Sequence, residues 1–382
     1  MTFSAFKHSI ISHIALSIIM IPLLFLCACS PTSSPQNKAT NNIFRHAQNI
    51  YSAPGSNRVT VYFNWGTQSD SITYILSDTV VSHLQADERY IPIPLSRVVA
   101  LSTTHIAMLQ EINEIESVVG VCDYYRISNK RIWQKHRADS LADLGISMHV
   151  NHEALIQTQA DAIFKSAFSA HDFKNDKVLH TLNIPLIYTY SWHEQTPLAR
   201  AEWILFFGML YNKFELADSI FSAIELEYTR IQERVCAQHT KPLVLSGDMV
   251  QDVWYMPGGK SYMASFIKDA GGNYVFSENT ETGSVPLNFE YVLQNSRNAT
   301  YWIGAQAESI KELQNKNPLY ATLPVFSSGK CYSYYAQTNE YGGNNYWEQG
   351  YVRPDIVLAD IVRILHPEIL PQHSLVFYKN LE

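Results

Sequence analysis

The sequence is poor in charge. Of its 382 residues only 16% are Asp, Glu, Lys or Arg, against about 25% in ordinary soluble domains. With 28 Lys and Arg against 35 Asp and Glu, a formal net charge of −7 and no basic run, the electrostatic footprint that a phosphate backbone requires is missing. Nucleic acid is thereby excluded as a partner. Cysteine is scarce too: beyond Cys27 and Cys29 only Cys122, Cys236 and Cys331 occur, an odd set without C-x-x-C spacing, which reads as isolated buried thiols rather than a disulfide framework. The chain has no G-x-S-x-G, no P-loop and no H-E-x-x-H, and Gly258-Gly259 and Gly342-Gly343 are turn signals rather than nucleotide fingerprints. After the first thirty residues no apolar run approaches the ~20 needed to cross a bilayer. What is abundant is aromatic: 23 Tyr, 17 Phe and 7 Trp, within a hydrophobic fraction of 46%. That composition excludes disorder and a coiled coil, and the length implies two lobes with full cores.

The first thirty residues carry the strongest local signal. Lys7 and His8 form a short positive region, and Ile10 to Leu26 is an apolar stretch of signal-peptide type. It ends in Leu26-Cys27-Ala28-Cys29, which resembles the bacterial lipobox. Residues 1–28 are then a lipoprotein signal peptide and Cys29 a lipidated N-terminus, with 29–55 a flexible tether rich in Ser, Pro, Thr and Asn. The competing reading is a signal-anchor helix that stays in the membrane. Either way the body is exported and periplasmic, held at a membrane that is left open as inner or outer.

Val59 to Trp65 and Ser71 to Leu76 alternate around Gly66–Asp70 and read as a hairpin, an extension spanning 56–95. Short apolar strands then alternate with helical stretches, the pattern of a parallel α/β sheet. Strands are expected at Val98–Leu101, Val118–Val121, Ala162–Phe164 and Pro185–Tyr188, with helices at His105–Ile112, His152–Gln159 and Phe173–Leu182, giving a lobe over 96–195. From Leu198 to Ala237, about forty residues keep helical apolar spacing (Ile204, Phe207, Phe214, Ala217, Phe221, Ile224, Tyr228, Ile231), opened by Thr196 as cap and Pro197 at the first position. This predicts a bridging helix over 196–238, with Gly208 or Asn212 as the place for a break. The alternation resumes over 239–382, with strands at Leu243–Leu245, Tyr274–Phe276, Thr300–Ile303 and Lys330–Ser333, as a repeat of the first half. The fold class expected is α/β: two doubly wound, Rossmann-like lobes joined by a single long bridging helix, with a ligand cleft between them.

Several segments together resemble the class III periplasmic binding proteins, the substrate-binding subunits of ABC importers for iron–siderophore complexes, haem and cobalamin. They are Arg97 to Leu109 with Val118 to Asp123, Val150 to Leu155 with Gln159 to Ile163, Trp254 to Gly259, and Tyr341 to Asp355. Ala160 stands where the family pattern has Pro. The last two stretches resemble a Bacteroidota branch. The resemblance covers Arg97 to His366 and implies a stiff helical hinge, a small closing motion, and no catalysis or resident cofactor. It implies as partners a permease and its ATPase subunits, a metal chelate as ligand, and the membrane through the lipid. An iron complex, siderophore or haem, comes first, cobalamin is the alternative, and a secreted lipoprotein hydrolase built on pairs such as Glu278 and Glu281 or Glu340 and Glu348 is the distant one.

By the same resemblance, Glu153 in Asn151-His152-Glu153 and Glu290 in Asn288-Phe289-Glu290 dock the permease. Each also opens a helix, where a carboxylate needs no partner beyond the helix dipole. Ligand contacts are expected from Ser102, Thr103 and Thr104 at a strand-to-helix junction, where capping explains them equally. Further candidates follow strand ends: Tyr124, Tyr125, Arg126 and Trp192 in the first lobe, and Trp254, Tyr255, Tyr334, Tyr346 and Trp347 in the second. Aromatic walls suit large flat ligands, with core packing the competing role. His105 and His193 are weighed as axial ligands to a chelated metal against ordinary hydrogen-bonded histidines. No histidine pair at a strand end has the spacing for a bare metal ion.

Overall fold

The computed structural model describes residues 41–147 and 149–382. The expected signal peptide and residues 29–40 of the expected tether, Cys29 included, lie outside the described residues, whereas 41–55 pack on the body, with Phe44, Ala47 and Ile50 buried. The described residues form a single compact unit.

A four-stranded sheet comes first, built around the hairpin Arg58–Trp65 and Gln68–Ser77. Val59, Val61 and Phe63 alternate inward and are buried, as the sequence pattern requires. The expected five-residue loop is tighter: Trp65 pairs with Gln68 across Gly66-Thr67, and Gly66 takes φ +77°. Ile50–Tyr51 and Glu88–Pro92 add edge strands that no alternation announces, the second parallel to Gln68–Ser77. The sheet packs on the first lobe through Phe63, whose ring lies 5.0 Å from Phe173 and 5.4 Å from Tyr190, and through Tyr74, whose hydroxyl accepts the Tyr188 N–H at 2.7 Å.

The first lobe holds five parallel strands in the spatial order Leu186–Thr189, Ala162–Ser166, Val98–Ala100, Val118–Val121, Ala142–Asp143. In chain order this is a doubly wound sheet whose winding reverses between Val98–Ala100 and Ala162–Ser166. The second lobe orders its strands Asn273–Tyr274, Leu243–Ser246, Tyr301–Ala305, Cys331–Ser333, Lys379–Asn380, the last antiparallel. Its reversal lies between Leu243–Ser246 and Tyr301–Ala305. The two halves therefore share a plan but not a strand order, and the second also inserts an antiparallel sheet of Asp248–Val250, Val253–Pro257 and Ser284–Asn288.

The connector is three helices rather than one: Pro197–Ala201, Ile204–Leu210 and Phe214–Cys236. The first has the expected cap, with Thr196 Oγ1 accepting the Ala199 N–H at 3.2 Å. The break before Phe214 falls at Asn212, which takes φ +54°, and Lys213 N–H closes the preceding helix on the Gly208 carbonyl at 2.7 Å. Gly208 permits the turn, since a Cβ there would stand 2.5 Å from Ala217 Cβ. The 23 residues of Phe214–Cys236 extend about 34 Å at 1.5 Å each. Ala217, Phe221, Ile224, Tyr228, Ile231 and Val235 form its buried stripe, which packs on the helix Pro354–Leu365. Among the described residues no helix is long and apolar enough to cross a membrane.

Candidate functional site

A cavity of about 390 Å³ lies at the lobe boundary, lined from the first lobe by Trp192 and His193, which follow the edge strand Leu186–Thr189, from the connector by Arg200, and from the second lobe by Ser246, Gly247, Gly304 and Gln306 at the strand ends beside its reversal point. Tyr255, Tyr262, Tyr334 and Trp347 complete an aromatic wall. Trp192 is fixed by its indole N–H, which donates to the Ala167 carbonyl at 2.7 Å. His193 stacks on Tyr190 at 4.6 Å, and burial followed by the nearby Arg200 holds its imidazole below the usual pKa, hence neutral.

Alternation along the strand Val253–Pro257 decides which of two neighbouring aromatics reaches the cavity. Tyr255 is 41% exposed and lines it, whereas Trp254 is fully buried, within 5.3 Å of Trp302, with its indole N–H on the Ser246 carbonyl. The expectation of Trp254 as a ligand contact is thus corrected: it belongs to the core. Tyr346 is also buried, stacked at 4.8 Å on Tyr334, and stands behind the wall whose surface is Trp347.

A second, more polar recess of about 800 Å³ adjoins the first-lobe reversal point, lined by Ser102, Thr103, Asp123, Arg126, Lys165 and Phe168. Phe168 and Trp192, with ring centroids 5.5 Å apart, stand between the two spaces. Ser102 caps the helix Thr103–Glu111 by accepting the Thr104 N–H, and its hydroxyl lies 2.9 Å from that of Thr104. Capping therefore occupies Ser102 and Thr104, while Thr103 Oγ1 donates across the lobe boundary to the Trp347 carbonyl at 3.3 Å. Tyr124 stacks on His136 at 4.2 Å and Tyr125 donates to Asp123 at 3.2 Å, so both rings serve the first lobe itself. Arg126 is exposed, its guanidinium 5.5 Å from the Tyr125 ring centroid.

His105 is corrected as an axial ligand. It is buried between Phe164 and Phe207, Nε2 lies 2.9 Å from Thr189 Oγ1, and burial drives its pKa to about 3. Among the described residues no three His, Cys, Asp or Glu side chains converge as metal ligands.

Sequence reasoning missed Arg200. Its guanidinium donates to the carbonyls of Trp192 at 2.5 Å and Glu194 at 3.0 Å and lies 3.7 Å from the Tyr262 ring centroid. Nothing local marks it out, because the fold alone brings the connector to Tyr262. Glu194 and Glu202 were missed for the same reason. Both are buried: Glu202 accepts the backbone N–H groups of Arg45, His46 and Ala47 at 2.6, 2.8 and 2.7 Å, and Glu194 those of Gln48 and Asn49 at 3.0 Å each.

Glu153 and Glu290 occupy matching places. Each is exposed in the first turn of its helix, and Asn151 and Asn288 cap those helices by accepting N–H groups three residues on.

Residues 98–338 match the sequence profile of the family described as periplasmic binding protein. The chain belongs to this family. An uncharacterised lipoprotein of Methanocaldococcus jannaschii, MJ0878, is 26% identical to this periplasmic binding protein over 295 residues, covering 73% of this chain and 67% of the relative. Among solved structures, a periplasmic binding protein from Veillonella parvula superposes with TM-score 0.57 at 14% identity, over 81% of this chain and 98% of that one. A periplasmic heme binding protein from Pseudomonas aeruginosa superposes with TM-score 0.55 at 13% identity, over 75% and 98%. A possible iron-binding protein from Staphylococcus epidermidis gives 0.53 at 16%, over 72% and 99%. At these identities the likeness is one of fold, and it accords with the doubly wound lobes described above.

Proposed function

We propose that this periplasmic binding protein is the lipid-anchored, substrate-capturing subunit of an ABC importer and that its ligand is an iron complex, a siderophore or haem. The carrying observation is the cavity at the lobe boundary, where Trp192, Tyr255, Tyr262, Tyr334 and Trp347 surround a single arginine. Flat conjugated surfaces gain most from such walls, and Arg200 supplies a charge-assisted donor for a carboxylate or other anionic group on the chelate. Two structural neighbours, one a periplasmic heme binding protein and one a possible iron-binding protein, support the same ligand class. Binding is non-covalent, and ATP hydrolysis belongs to the partner. Glu153 and Glu290, exposed at equivalent helix starts on the two lobes, are the carboxylates offered to the permease. Cys29 carries the lipid, a reading supported by the lipoprotein name of the archaeal relative.

Titration of the tryptophan fluorescence of residues 41–382 with haemin, a ferric siderophore and cobalamin tests the ligand. Saturable micromolar or tighter quenching by one of the iron complexes is expected. A response to cobalamin alone, or to none of the three, overturns the iron reading.

A further inference from the structure

Between Gln337 and Glu348 the second lobe extends a finger onto the first. The finger is bonded to itself: Asn345 N–H donates to the Gln337 carbonyl at 2.9 Å, Asn339 N–H to the Gly343 carbonyl at 2.8 Å, and Thr338 bridges Asn344. Its tip is held by the opposite lobe. Asn339 Nδ2 donates to the Ile127 carbonyl at 2.9 Å, and the Tyr341 ring stacks on Trp133 at 4.7 Å with planes 12° apart. Gly343 lets the backbones meet, since a Cβ there would stand 2.8 Å from the Arg126 carbonyl oxygen. At its base the buried Glu348 carboxylate accepts the Ser128 N–H at 2.7 Å. The neighbouring Trp347 accepts from Thr103 through its carbonyl while its side chain lines the cavity.

We propose that this finger is a gate on the ligand cleft, that Glu348 is the positioning residue that latches it, and that its opening sets how fast ligand enters and leaves. The proposal rests on the cavity beside Trp347 being the ligand site. Three observations carry it. The finger's internal hydrogen bonds let it move as a unit. Its hold on the first lobe is a few polar bonds and one stacked pair whose Tyr341 is 55% exposed, the kind of contact that opens locally without global unfolding. And the residue next to the latch is a wall of the cavity, so release of Glu348 from Ser128 frees Trp347 as well. Oε1 of Glu348, Oγ of Ser128, Nδ2 of Asn344 and Nε2 of Gln349 are buried without a protein partner, which places a concentration of unsatisfied polar groups at the base of the finger.

Amide hydrogen exchange and stopped-flow binding of haemin to residues 41–382 test this. In Glu348→Ala, amides of 126–129 and 337–347 are expected to exchange about tenfold faster, the core strands Val98–Ala100 and Tyr301–Ala305 keeping their protection. Association and dissociation rate constants for haemin should rise together by about the same factor, leaving Kd within about twofold. Glu348→Gln retains an acceptor oxygen and should behave as the parent. Should Glu348→Ala fail to fold, Asn339→Ala and Tyr341→Ala release the tip from outside the core and are read in the same way. Unchanged exchange in the finger, faster exchange throughout, or a raised Kd with an unchanged association rate overturns the gate. If no variant binds haemin, the ligand reading fails while the exchange measurement still decides the gate.

Discussion

The Arg200 guanidinium lies 3.7 Å from the centroid of the Tyr262 ring, so a residue of the connector and a residue of the second lobe form one continuous surface of the cleft. The same side chain holds the carbonyls of Trp192 and Glu194, which fixes the first-lobe wall to it. A cation held in this way keeps its charge where an anionic ligand group would enter.

Arg200→Ala should therefore weaken ligand binding by about tenfold to a hundredfold, the range of one desolvated cation–π contact together with a charged hydrogen bond. Arg200→Lys should recover little, because a point charge replaces neither the planar fork nor the stacking on Tyr262. Fluorescence titration of the three proteins measures both.

Trp254 and Trp347 should separate stability from binding. Trp254→Ala empties a fully buried site among Trp302, Phe289 and Tyr320 and should cost about 3–5 kcal/mol in urea unfolding, with ligand affinity little changed in the folded fraction. Trp347, 42% exposed on the cavity wall, should show the reverse: Trp347→Ala should shift unfolding by less than about 1 kcal/mol and weaken binding about fivefold.

Replacing Glu153 and Glu290 together by Ala should abolish uptake of the ligand by cells that depend on this importer, with affinity in solution unchanged. Loss of affinity would place those carboxylates in the cleft instead. Stability should drop by no more than about 1 kcal/mol for each, since each only complements the N-terminus of a helix.

His105 makes stability fall in acid. Burial lowers its pKa from 6.5 to about 3, so the folded protein holds the ring neutral while the unfolded chain takes up a proton. The sign follows: this contribution is complete above about pH 6.5 and is lost on acidification, at up to about 1.4 kcal/mol per pH unit, until about pH 3. Denaturant unfolding between pH 7 and pH 4 should show a shallower decline in His105→Gln, whose amide can still meet Thr189.

How far the sequence carries depends on whether a feature is local. Thr196 with Pro197, and Asn151 and Asn288 before their glutamates, are local devices and could be read directly. The connector reads as one helix because apolar spacing continues through a three-residue break, with Phe207 and Ala217 buried on either side of it; Gly208 and Asn212, the latter able to adopt a left-handed conformation, are the local signs of the turn. Trp254 and Tyr255 read alike as aromatics after a strand end, because nothing local announces the inserted antiparallel sheet whose alternation buries the first and turns the second to the cleft. Arg200 and Glu202 acquire their roles from partners 62 and 155–157 residues away in sequence, a relationship that no short-range pattern records.

Glu202→Ala should cost about 3 kcal/mol, because three consecutive N–H groups lose one shared acceptor. Glu202→Gln should rescue only part of this, since its amide NH2 would face donors. Thermal unfolding gives the loss, and trypsin cleavage after Arg45 should accelerate in both variants.

That grip has a mechanical meaning. Glu202 and Glu194, on and just before the helices that join the lobes, together hold the amides of residues 45–49. A pull arriving through the chain that precedes them is delivered at the joint rather than to either lobe, as a lamp is hung from its stem rather than its shade. On the proposed reading, in which Glu153 and Glu290 dock and Cys29 carries the lipid, both docking faces then turn toward the permease together, and tension in the leash acts on the joint rather than on the cleft.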